Sequence, residues 1–191
     1  SSDLVAKQYK GNNTVAVYEL YNEPTNDGGK LGEFSWKTWR PTLEKLIDEI
    51  TPTDDQKIFL VAGMEWGYLL DEVIANPVNR KNVAYCTHPY PQKREKPWKP
   101  AWEKDWGHVA DKYPILATEF GFMGPDERGA HIPCISDESY GEAIMAYFDK
   151  KGISYTPWCF DPDWPPTLIK DWNFTPSRQG IFFKTHLQKK D

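Results

Sequence analysis

The chain has 191 residues, a formal net charge of −5 and 27% charged residues. That length suits one domain with a sizeable core, residues 1–191. Acidic and basic side chains are interspersed, so no basic stripe marks a nucleic-acid binder, and no apolar run is long enough to span a membrane. The aromatic fraction is 15%, with 9 Trp and 10 Tyr. Tryptophans build cores, and exposed ones also stack on the flat C–H faces of sugar rings.

Strand and helix patterns alternate along the chain. Leu4–Tyr9 reads as the tail of an amphipathic helix with no signal peptide before it, as expected of a fragment or a processed piece. Val15–Leu20 is a strand by its apolar content. Ser35–Ile50 is a helix, with Trp36, Trp39, Leu43, Leu46, Ile47 and Ile50 at helical spacing. Ile58–Ala62 is the next strand, Tyr68–Ala75 a short helix and Asn82–Cys86 a strand. Ala101–Tyr113 is a helix with a stripe of Trp102, Trp106, Val109 and Tyr113. Ile115–Thr118 is a strand. Asp137–Lys151 is a helix with Ser136 as N-cap and Gly152 as its stop. Ile153–Trp158 is a strand, and Arg178–Leu187 a closing helix. Five short apolar strands, each followed by a helix, belong in a parallel sheet covered by helices, an α/β fold.

Two phrases carry the chemistry. Tyr21-Asn22-Glu23-Pro24 and Ala117-Thr118-Glu119-Phe120-Gly121 each follow an apolar run, so each presents a glutamate where a strand gives way to a loop. Two carboxyls delivered to one rim by separate strands are what glycosidic bond cleavage needs. The proline after Glu23 should push that residue toward an extended backbone, and Asn22 could bond a sugar hydroxyl. Gly121 permits a close turn after Glu119. His88-Pro89-Tyr90 ends the strand between the two glutamates. The Tyr90 hydroxyl could donate to a carboxylate and hold it ionised, and His88 could contact substrate hydroxyls. Trp158 ends the last strand and Trp66 follows the second. Either could be a stacking platform or plain core.

Cys86, Cys134 and Cys159 lack zinc-site spacing and allow at most one disulfide. Asn26-Asp27-Gly28-Gly29 and Asp161-Pro162-Asp163 lack the ligand spacing of a calcium loop. No metal is expected.

With these residues in this order, the chain resembles glycoside hydrolase family 5, the cellulase-type retaining enzymes. Asn22-Glu23-Pro24 is similar to the family's strand-four acid/base motif, and His88-x-Tyr90 to its strand-six motif. Glu119 is similar to its strand-seven nucleophile and Trp158 to its strand-eight platform. The resemblance implies a TIM (β/α)8 barrel, of which this chain holds about five C-terminal units; a whole barrel takes about 250 residues. It implies a secreted endoglucanase acting on cellulose-type β-glucans by double displacement. Glu119 would be the nucleophile, Glu23 the acid/base, and Asn22, His88, Tyr90, Trp158 and Trp66 would bind substrate, with no cofactor. The alternatives are a β-mannanase, xyloglucanase or xylanase of the same family, or a non-catalytic carbohydrate-binding fragment. Strands one to three of the family pattern have no counterpart here. An N-terminal barrel fragment or a second chain is therefore the expected partner, alongside the polysaccharide substrate.

Overall fold

The computed structural model describes residues 2–189, apart from the side chains of Ser2 and Asp3. The chain resolves into two compact units. One comprises residues up to Thr87 together with Asp105–Leu116, and the other His88–Lys104 together with everything from Ala117 onward.

The first unit begins with α1 (Ser2–Tyr9), β1 (Val17–Glu19), α2 (Trp36–Ile50) and β2 (Ile58–Ala62), followed by a one-turn segment, α3 (Met64–Gly67). Next come β3 (Val83–Cys86), α4 (Trp98–Asp105) and β4 (Ile115–Ala117), the last two reaching into both units. Val17 lies opposite Ile58, Phe59 opposite Val83 and Tyr85 opposite Ile115, all in parallel. Parallel pairing requires a crossover between strands, and α2 supplies the first. Trp36, Trp39, Leu43, Ile47 and Ile50 form its buried face, as their spacing predicts, and Leu46 is half-buried. The Trp36 indole N–H donates to the Asn76 carbonyl at 2.7 Å. Tyr85 on β3 takes the Val78 N–H on its hydroxyl oxygen at 2.9 Å, and burial pushes that hydroxyl's pKa up to about 12.

The second unit adds α5 (Glu138–Lys151), β5 (Ser154–Tyr155) and α6 (Arg178–Gln188). The strand order follows the sequence, β1-β2-β3-β4-β5. Its core is aromatic. Trp98 and Trp102 stack at 5.9 Å with Tyr140 edge-on to both, while Phe120 meets Phe148, Tyr155 and Phe183 edge-on. Gly152 stops α5 in the left-handed conformation, as expected (φ 66°).

Three expectations fail for stated reasons. Ser136 is not the N-cap of α5: Asp137 is, accepting the Ser139 N–H at 2.9 Å. The segment Tyr68–Ala75 forms turns rather than a helix. Its backbone is drawn elsewhere, with Leu69 and Met64 exchanging hydrogen bonds and the Leu70 N–H going to the Asp105 carbonyl at 2.8 Å. The expected helix Ala101–Tyr113 is replaced by α4, which ends at Asp105, and a 3-10 stretch, Gly107–Asp111. The Asp105 carbonyl is used by Leu70 and its carboxylate by the Tyr68 hydroxyl at 2.8 Å, so the helix breaks where Asp105 serves another segment. All three cysteines are free thiols.

A methyl group at Gly63 would overlap the Leu69 carbonyl oxygen. Gly63→Ala should therefore cost about 1–3 kcal/mol, the usual penalty for overpacking. Urea denaturation would measure it, and an unchanged midpoint would show that this close approach does not matter.

Candidate active site

In the first unit, the loops after β1 and β2 hold Glu23 and Trp66. Glu23 is half-buried, Asn22 exposed and Pro24 buried. Glu23 is not extended as its proline neighbour suggests: its φ is +47°. Glu65 (φ 54°) and Trp66 (φ 57°) are also left-handed, and Gly67 follows at φ 70°. Non-glycine residues rarely adopt this region, and such strain gathers at functional loops. The two loops are tied directly, because the Trp66 N–H donates to the Pro24 carbonyl at 3.1 Å. That bond fixes the peptide after Pro24, and Glu23 departs from the extended backbone that a following proline favours. Trp66 remains 41% exposed, enough to offer a ring face to a ligand.

In the second unit, β4 delivers Glu119. Beyond its last strand residue the chain stays paired: Ala117 O accepts the Thr156 N–H, Thr118 O the Thr156 hydroxyl, and Phe120 O the Trp158 N–H, at 2.7–2.9 Å. Alternation then separates neighbours. Phe120 is buried in the aromatic core, so Glu119 faces the other way. The Tyr90 hydroxyl donates to Glu119 Oε2 at 3.2 Å. His88 Nδ1 lies 3.7 Å from the same oxygen, and His88 Nε2 is 2.9 Å from Thr118 Oγ1. His88 is fully buried and the Glu119 side chain is 14% exposed. Tyr90, His88 and Glu119 are thus brought together, with Tyr90 oriented as a donor to the carboxylate.

Two supports were not evident from the sequence. The first is the loop 121–136, which folds back on itself over Tyr90. The Met123 N–H donates to Cys134 O and the Ser136 N–H to Met123 O, placing Met123 and Cys134 against the Tyr90 ring. The second is Gln179 on the first turn of α6, only 2% exposed. Its Nε2 donates to the carbonyls of Trp158 (2.8 Å) and Pro166 (2.7 Å), and its Oε1 accepts the Phe122 N–H at 2.9 Å. One buried amide therefore joins the segments that follow Glu119 and Trp158. Gly121 is required beside it, since a Cβ there would lie 2.6 Å from Gln179 Oε1. A buried Gln in an otherwise apolar helix face was the only available signal.

Trp158 is half-buried and its peptide to Cys159 is cis. Burial, with the Asp161 charge adding to it, pushes the Cys159 thiol up to about 11. The thiol is therefore neutral at ordinary pH and poorly nucleophilic.

Gln179→Ala would leave the buried Phe122 N–H and the Trp158 carbonyl without this partner, while the Pro166 carbonyl keeps the Cys159 N–H. A loss of about 1–3 kcal/mol per orphaned group is expected. Thermal melting would report it, and a variant as stable as the parent would show that the clamp is dispensable.

Residues 2–163 match the family model for Cellulase (glycosyl hydrolase family 5). An endoglucanase of Paenibacillus polymyxa is 27% identical over 88% of this chain and 49% of its own length. Endoglucanase Z of Dickeya dadantii is 25% identical over 82% of this chain and 33% of its own. Among solved structures, the β-glucanase SdGluc5_26A of Saccharophagus degradans superposes with a TM-score of 0.96 at 48% identity, covering 99% of this chain and 58% of that one. The same enzyme has been crystallised with cellotetraose. The catalytic domain of Thermobifida fusca endoglucanase Cel5A, at 20% identity and a TM-score of 0.77, shares the fold over 61% of its length. The chain thus spans a third to a half of those two curated relatives, and its five parallel strands form part of a (β/α)8 barrel. On the match over residues 2–163, the chain belongs to the cellulases of glycosyl hydrolase family 5.

Proposed function

We propose that residues 1–191 contribute to one catalytic domain of a retaining endo-β-1,4-glucanase, with Glu119 as nucleophile and Glu23 as acid/base. The observation that carries this reading is the Glu119 carboxylate, held at the end of a parallel strand with the Tyr90 hydroxyl donating to it at 3.2 Å. A carboxylate with one oxygen held by a neutral donor is fixed in place yet keeps its charge for attack. The strained Glu23 loop after β1 supports the second role. It holds a carboxyl just beyond the C-terminal end of β1, and barrel enzymes carry their chemistry on the loops that follow their strands.

In the proposed reaction, Glu119 attacks the anomeric carbon while Glu23 gives its proton to the departing glycosidic oxygen. The glycosyl–enzyme ester is then released by water whose proton Glu23 takes back. The two carboxyls of a retaining pair work about 5–5.5 Å apart. His88 acts by holding Glu119 and Thr118, while Asn22, Trp66 and Trp158 meet the sugar. Cellulose-type β-glucan is the proposed substrate, supported by the β-glucanase at 48% identity. A substrate polymer too large to enter cells places the enzyme outside them. Further barrel strands, on this polypeptide or another, complete the domain, since among the described residues β1 pairs with β2 alone.

The test is chemical rescue in the complete protein. Glu119→Ala should lose turnover on an activated β-cellobioside by about 10⁴-fold or more, as when a nucleophile acting as part of a unit is removed. Azide should partly restore it. Azide would form the new bond at the anomeric carbon from the vacated side, giving a glycosyl azide of inverted configuration by NMR. Rescue with retained configuration would assign the nucleophile elsewhere.

A further inference from the structure

Glu119 is preceded by Thr118, a half-buried residue whose hydroxyl has no part in the proposed reaction. Thr156 holds its backbone. The Ala117 carbonyl takes the Thr156 N–H at 2.9 Å, and the Thr118 carbonyl takes the Thr156 hydroxyl at 2.7 Å. A β-branched side chain has few rotamers on a backbone fixed in this way. Thr118 Oγ1 lies 2.9 Å from His88 Nε2. The opposite ring nitrogen, Nδ1, lies 3.7 Å from Glu119 Oε2, and the His88 side chain is wholly buried.

The contact between Thr118 and His88 can run in either direction, with opposite consequences for Glu119. A neutral imidazole has one N–H and one acceptor nitrogen, and a hydroxyl can donate or accept. If the Nε2–H donated to Thr118, the Nδ1 lone pair would face the Glu119 carboxylate. Two electron-rich atoms would then oppose each other where little water screens them, since the Glu119 side chain is 14% exposed. If Thr118 donates to Nε2, the ring proton sits on Nδ1 and turns its positive end toward Oε2. That is the oxygen to which Tyr90 donates. Such donors favour the charged form of a carboxylate. Catalytic contacts are often long before substrate binds and tighten in the complex.

We propose that Thr118 is a positioning residue, whose hydroxyl donates to His88 Nε2 and so holds the imidazole with its Nδ1–H turned toward the Glu119 carboxylate. The inference rests on the proposed function, in which Glu119 is the nucleophile. Thr118 acts through His88, touching neither the sugar nor the reacting carbon. Its hydroxyl selects the tautomer and the ring orientation that suit a negative neighbour, by occupying the nitrogen that faces away from it. Removing the hydroxyl leaves Nε2 without this partner in a buried place, and the ring loses the bond that orients it. The strand then carries the nucleophile and, one residue earlier, the group that orients one of its neighbours.

The test locates the proton first and then its effect. Neutron diffraction from crystals of the complete protein grown in heavy water should show deuterium on His88 Nδ1 and none on Nε2, with the Thr118 hydroxyl deuterium aimed at Nε2. Deuterium on Nε2, alone or together with Nδ1, would overturn the inference and leave the proposed function standing. Turnover of cellotetraose then compares the parent with Thr118→Val and Thr118→Ser, each checked for folding by circular dichroism. Thr118→Val should lower kcat about tenfold, the scale of one hydrogen bond, with KM unchanged within about twofold. Thr118→Ser keeps the hydroxyl and should recover kcat to within about twofold of the parent. An unchanged kcat in Thr118→Val would also overturn the inference, and so would a raised KM alone, which would make Thr118 a substrate contact. Thr118→Ser as slow as Thr118→Val would overturn it too, pointing to the packing of the lost methyl. If Glu119→Ala kept the parent's turnover, the proposed function would fall and this inference with it.

Discussion

The hydrogen bond from the Tyr90 hydroxyl to Glu119 Oε2 is the contact on which the candidate site depends. A carboxylate that is only 14% exposed loses most of its water. Without donors it would neutralise or move away. Tyr90 replaces part of that water with a fixed donor. Because Tyr90 is itself only 7% exposed, everything that fixes its ring also fixes the donor that meets Glu119. That includes the loop 121–136, which packs Met123 and Cys134 on the ring. It also includes the Tyr140 hydroxyl, which donates to the Pro89 carbonyl from α5.

The aromatic core beneath has a second task. Phe120 sits beside Glu119 in sequence but on the opposite face, among Phe148, Tyr155 and Phe183. Its burial sets the orientation of the strand, and a one-residue slip would send Glu119 into that core. Gln179 holds the segments after Glu119 and Trp158 together through three hydrogen bonds from one amide. The segment after Glu119 and the proposed stacking residue Trp158 are therefore tied by the same buried side chain, which bonds the Trp158 carbonyl directly. The Glu23 loop follows a different principle. There the backbone is left-handed at Glu23 and again at Glu65 and Trp66, and the Trp66–Pro24 bond ties the two loops.

Much of this was legible in the sequence. Ile58–Ala62 is an unbroken apolar run, and it is β2 without change. The spacing of Trp36, Trp39, Leu43, Ile47 and Ile50 gives the buried face of α2. The expected Tyr90 donor finds Glu119. Local pattern failed where a distant partner intervened. Asp105 ends α4 because it serves Tyr68 and Leu70, residues far from it in sequence. Glu23 adopts a positive φ, against the influence of Pro24, in a loop that Trp66 bonds through the Pro24 carbonyl. Gln179 and the folded loop 121–136 carry no periodic signal, since their role consists wholly of long-range hydrogen bonds. Asp137 displaced Ser136 as N-cap because two adjacent residues were both good caps and composition cannot choose between them.

The central claim is that Glu119 becomes covalently bound to sugar. The most direct measurement is inactivation of the complete protein with a 2-deoxy-2-fluoro-β-cellobioside bearing a good leaving group, followed by tryptic mass spectrometry. The account predicts one fluorosugar adduct, on the peptide that follows Lys112 and ends at Arg128, with fragmentation placing it on Glu119. An adduct on Glu23, on Asp161 or on any other residue would contradict it.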